Sequence, residues 1–125
     1  MKPGSRVDKV GDRLRDIIAQ ALITEAGDSR LHGVHIQAVK VSPDLSFARV
    51  FWVPLIRDMD TPAERKRLER ALEAAVGFLR TRIGTEMKTR IVPGLRFEYD
   101  TTAEYARHMD TVLAEIHIPA AADDE

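Results

Sequence analysis

From Leu68 to Met87 the apolar residues Leu68, Leu72, Ala75, Leu79, Ile83 and Met87 recur at helical spacing, and that spacing runs straight through Gly77. A glycine in a helix interior costs about 1 kcal/mol relative to alanine. The simplest reading is two helices in tandem with Gly77 as the joint. Their start is marked by Thr61 as an N-cap hydroxyl, Pro62 at the first helical position and Glu64 as the capping-box acid. Arg65, Lys66, Arg67 and Arg70 fall off the apolar stripe and are read as solvent-facing. Two joined helices with one apolar stripe need another layer to bury it against, so the rest of the chain must supply one.

Candidates for that layer flank the helix pair. VHIQAVKVS and FARVFWV are rich in β-branched and aromatic residues, and PDLS between them reads as a turn, which makes a hairpin. Asp44 in that turn can accept from turn amides. Pro54 closes the second strand and LIRDMD is a polar connector. Beyond the helices, RIVPGLRFEYD alternates Leu95, Phe97 and Tyr99 with Arg96 and Glu98, a strand with one apolar face. Upstream, Val7, Val10, Leu14, Ile17, Ile18, Ala21 and Leu22 form a single stripe on a helix expected from Arg6 to Ala26, with Ser5 as cap and Gly27 as stop. A final helix is expected from Ala103 to Ile116. The expected fold class is α/β in the α+β sense: helices on a three-stranded sheet, forming one domain over residues 1–118, with 119–125 a short acidic tail read as disordered.

Charge sharpens the functional reading. The formal total is only -1, but residues 1–15 carry +3, 16–61 carry -2, 62–96 carry +5 and 97–125 carry -7. A basic middle beside an acidic end suits a polyanion-binding surface whose field is local, because screening confines it to about 8 to 10 Å in physiological salt. The cations singled out are Arg80, Arg82, Lys88 and Arg90 after the joint, and the row Arg6, Lys9 and Arg13 on the first helix; the latter could instead pair with Asp12 and Asp16.

Catalysis finds little support. Phosphate-loop, nucleophile-elbow and metal-helix motifs are missing, and the four histidines read as structural or exposed, so no catalytic residue, metal site or cofactor is expected. Without cysteine there is no disulfide, and no apolar run is long enough for a membrane helix, which points to a cytoplasmic protein without a membrane partner. Phe51 and Trp52 point to opposite faces of one strand. An interaction module using an exposed sheet face is therefore the alternative reading, with Trp52 more easily placed in the core. No aromatic cluster interleaves the basic run, so RNA recognition is expected to rest on backbone shape, with short oligonucleotides binding weakly.

The order helix, strand, strand, helix, break, helix, strand is that of a type II KH domain, whose break normally carries a GxxG loop that clamps the nucleotide backbone. Here Ala75-Val76-Gly77 takes that place. With DIIAQAL, VKVSPDLSFARVFWV, ALEAAVGFLRTRIG and RIVPGLRFEYDTTAEYARHMDTVL in this order, the chain resembles the ribosome-binding factor A family over about Ser5 to Ile116. That family is known for a KH type II fold with an AxG kink in place of GxxG. The resemblance implies a monomeric, non-enzymatic factor that binds the free immature small ribosomal subunit and its precursor ribosomal RNA. It also implies help in maturation near the RNA 5′ end, a particular need in the cold, and departure before translation promoted in some bacteria by an assembly GTPase. On this reading Gly77 relieves crowding at the kink, and Ala75, Val76, Gly77, Arg80 and Arg82 face RNA.

Overall fold

The computed structural model describes residues 6–24 and 27–102; Ser5, the expected final helix and the acidic tail lie outside the described residues. Helix α1, Arg6–Thr24, buries Leu14, Ile17, Ile18, Ala21 and Leu22, which is the stripe read from the sequence. One stripe position is a glycine, Gly11, also buried. A β-carbon there would lie 2.6 Å from the Val39 carbonyl oxygen, so α1 crosses the sheet too closely for any side chain.

Strand β1, Val34–Val41, runs antiparallel to β2, Phe47–Pro54, and β3, Gly94–Tyr99, lies parallel to β2, giving the order β1-β2-β3. The hairpin turn is held by Asp44, which accepts from the Ser42 hydroxyl at 2.8 Å and from the Ser46 amide and hydroxyl at 3.1 and 2.7 Å. Those donors hold its carboxyl below the ordinary range. A parallel pair cannot be joined by a tight turn. Helices α2, Pro62–Ala74, and α3, Val76–Met87, make the crossover.

All three helices pack on the face of the sheet that carries Ala48, Val50, Trp52 and Phe97. Trp52 is fully buried, edge-on to Tyr99 at 5.8 Å between ring centres, and belongs to the core. Phe51 is half-buried on the opposite face.

Helix α2 starts where the sequence says: the Thr61 hydroxyl accepts from the Glu64 amide at 3.1 Å. The reciprocal half of the box does not form. Thr61 gives its own amide to the Met59 carbonyl, and the Glu64 carboxylate takes Arg67 at 3.0 Å.

Three expectations are corrected. The break falls at Ala75, not Gly77: Ala75 closes α2 and opens α3, while Gly77 sits in the first turn of α3. Nor is Gly77 crowded, since among the described residues an added β-carbon would meet no atom within 4 Å. Arg65 is not a solvent-facing cation. It lies 4.0 Å over the Tyr99 ring and bonds Asp60 at 2.6 Å, and Tyr99 donates to the other Asp60 oxygen at 2.6 Å. Asp60 thereby ties α2 to β3 through charge-assisted bonds, and the connector before it contains a 3-10 turn, Arg57–Met59.

Candidate nucleic-acid interface

Helix α3 organises the candidate site because its two flanks meet different neighbours. Leu79 and Ile83 face inward and are fully buried, so the helix is fixed in rotation about its axis. On the flank toward α1, Arg6, Lys9 and Arg13 line an open groove of about 470 Å³ with Val10, Glu86 and Met87. None of these three cations makes an ion pair with another described residue; Asp16, one of their possible partners, bonds Arg15 at 3.2 Å. They are exposed, and among the described residues the one carboxylate lining their groove, Glu86, is held by Arg82, so the three charges favour an anionic ligand.

Arg82 lies on the same flank and reaches Glu86 one turn on at 3.1 Å. That carboxylate walls the groove of the α1 cations, so Arg82 and the α1 row are brought together. Its side chain is only 21% exposed, less open than its sequence position suggests.

The other flank forms a second groove, of about 430 Å³, lined by Gly77, Arg80, Thr81, Gly84, Thr85 and Val92. Arg80 has a structural task here, donating from Nη2 to the Val92 carbonyl at 2.8 Å and from Nε to the Pro93 carbonyl at 3.2 Å. It thus fixes the approach to β3. A guanidinium has five N–H donors, so this anchoring leaves further donors for an anion. Thr81, Gly84 and Thr85 were not singled out from the sequence. The signal available was their helical spacing from Gly77: Gly77, Thr81 and Gly84 share one side of α3 and keep it low in bulk.

Of the remaining expected residues, Ala75 is buried in the core and contributes the bend rather than a contact surface. Val76 is half-buried. Lys88 ends α3 in the left-handed region at φ 54°, a conformation that costs a non-glycine residue about 1 kcal/mol. Lys88 and Arg90 are both exposed beyond the helix. His32 lies in a 3-10 turn and His35 on β1, both exposed. Among the described residues no helix is long and apolar enough to cross a membrane.

The same architecture occurs in known proteins. Ribosome-binding factor A from Citrifermentans bemidjiense is 38% identical over 119 residues, covering 95% of this chain and 94% of the relative. A Thermotoga maritima protein described as a candidate ribosome binding factor A, solved by NMR in solution, matches with a TM-score of 0.66 at 27% identity, covering 78% of this chain and 90% of that one. A Thermus thermophilus ribosome binding factor A, a homology model fitted into a cryo-EM map of its 30S complex, matches at 0.57 and 23% identity, covering 74% of this chain and 92% of that one; identity this low speaks for the fold alone. The family model for ribosome-binding factor A matches residues 6–113, spanning all the helices and strands just described, and the chain belongs to that family.

Proposed function

We propose that this chain binds the small ribosomal subunit through the α1–α3 side of the domain and acts there by binding rather than catalysis. The observation that carries this reading is the convergence of Arg6, Lys9 and Arg13 on the C-terminal end of α3, with the low-bulk side of α3 adjoining it. Cations supply affinity for RNA phosphates, and a helix surface kept small by Gly77, Thr81 and Gly84 lets a sugar-phosphate backbone approach closely. Membership of the ribosome-binding factor A family supports the same partner here, and the Thermus thermophilus member was fitted into a map of a 30S complex.

The finer reading follows the family. The factor works as a cytoplasmic monomer on the immature subunit, assists late maturation of its ribosomal RNA at the 5′ end, matters most in the cold, and leaves before translation with an assembly GTPase as release partner. The bend at Ala75 sets the direction of α3 and with it the placement of Arg80 and Arg82, while Lys88 and Arg90 extend the cationic surface beyond the helix.

Co-sedimentation with purified small subunits over a series of salt concentrations tests this. Each phosphate contact should contribute about -0.7 to the log-log slope, and reversing Arg6, Lys9 and Arg13 together should weaken binding strongly while the domain stays folded, since all three are exposed. A slope near zero, or a triple variant that co-sediments like wild type, would overturn the assignment. In a strain lacking its own family member, the wild-type chain should restore cold growth and RNA 5′-end processing and the triple variant should not.

A further inference from the structure

The face of the sheet away from the helices carries a second set of cations. Strand register places Lys40 opposite Arg49 and Arg49 opposite Arg96, a row of three positive charges across three neighbouring strands. Like charges directly opposite one another destabilise a sheet. All three residues are nevertheless exposed, and the described helices pack on the other face.

One carboxylate offsets the row. Arg49 bonds Glu98 through Nε at 2.9 Å and Nη2 at 2.8 Å, which holds the Glu98 carboxyl below its ordinary range. Among the described residues, two of the three charges are left over. Aromatic rings lie among the same residues: the Arg49 guanidinium is 5.0 Å from the centre of the Phe51 ring, and that of Arg96 is 5.3 Å from the Phe47 ring. Both rings are half-buried on this face, which no described helix covers.

We propose that this face is a second RNA-binding surface, taking a single-stranded segment whose phosphates meet Lys40 and Arg96 and whose bases stack on the guanidinium and phenyl planes at Arg49, Phe51 and Phe47. An acidic peptide would satisfy the cations but leave the planar stacks unused. Bases use both, because any base can stack on an aromatic ring or a guanidinium plane. The helix-side groove and the sheet face lie on opposite sides of the domain, so a subunit-bound factor holds two RNA segments at once. This inference rests on the proposed ribosomal-RNA partner but uses different residues, so the two can fail separately.

The test uses the full chain and a fluorescein-labelled, mixed-sequence single-stranded RNA of about twelve nucleotides, within the span such surfaces cover. Anisotropy gives affinity and salt slope; sedimentation with small subunits is measured in parallel. Reversing Lys40 and Arg96 together should lower oligonucleotide affinity at least about tenfold and flatten the log-log slope by about 1.4. Phe51→Leu keeps an apolar side chain at the half-buried site and should cost about fivefold or more through lost stacking. Thermal unfolding of each variant confirms that it is folded. The Arg6/Lys9/Arg13 reversal should lose subunits while weakening oligonucleotide binding less than the Lys40/Arg96 reversal does. Should the Lys40/Arg96 variant bind the oligonucleotide like wild type, should wild type bind none, or should a polyglutamate peptide of equal charge bind as tightly as the RNA, the inference is overturned. If wild type binds oligonucleotide but not subunits, the proposed function fails instead.

Discussion

Gly11 and Gly77 look alike in the sequence, each a glycine inside a helical apolar pattern, yet the structure sets them in opposite surroundings. Gly11 is forced by packing: its α-carbon meets the backbone of β1, and a methyl group would strike the Val39 carbonyl oxygen at 2.6 Å. Gly77 is forced by nothing among the described residues, since its added β-carbon would meet none of their atoms within 4 Å. One glycine is explained by the fold and the other is not. What separates them is their place on the apolar stripe. Gly11 lies in register with Val7, Leu14 and Ile18, whereas Gly77 lies off the line through Leu72, Ala75 and Leu79.

The largest effect that could break this contrast is at Gly11. Alanine there should gain helix propensity and still destabilise the domain by about 2 to 3 kcal/mol, because the colliding atom belongs to a strand backbone and cannot turn aside. Thermal or denaturant unfolding measures this, and a neutral Gly11→Ala would mean that α1 has slack over the sheet. Thr61→Ala comes next, at about 1 kcal/mol of lost stability, since it frees the Glu64 amide at the start of α2.

Lys88 sharpens the contrast from the other direction. As a non-glycine residue at φ 54° it carries strain that glycine would relieve, so Lys88→Gly should stabilise the fold by about 0.5 to 1 kcal/mol while weakening subunit binding through the lost cation. Gly77→Ala should have the smallest effect on folding, a gain of a few tenths of a kcal/mol up to about 1, again measured by unfolding. Destabilisation there would show that the site is packed after all.

How far the sequence could be read follows the range of the interactions. The α1 stripe, the hairpin with its Asp44 turn, the Thr61 cap and the apolar face of β3 are all written in neighbouring residues, and each is found where the sequence places it. The position of the break was read two residues late, because propensity marks glycine as the weak point while the break falls at Ala75, which is buried in the core. Arg65 and Arg80 looked like free cations because their partners, Asp60 with Tyr99 and the carbonyls of Val92 and Pro93, are assembled by the fold from other segments. The row of Lys40, Arg49 and Arg96 was hidden for a similar reason. Only strand register brings those three together, and the aromatics missing from the helical basic run are found beside them on the sheet.

The central claim is that the outward side of α3 at Gly77 is kept bare for the ribosomal subunit. Gly77→Leu tests it most directly, with unfolding and small-subunit affinity measured on the same protein. Leucine is a good helix former entering open space, so the account expects a melting temperature at or above that of wild type together with at least about tenfold weaker subunit binding. A folded Gly77→Leu variant with wild-type subunit affinity would contradict it.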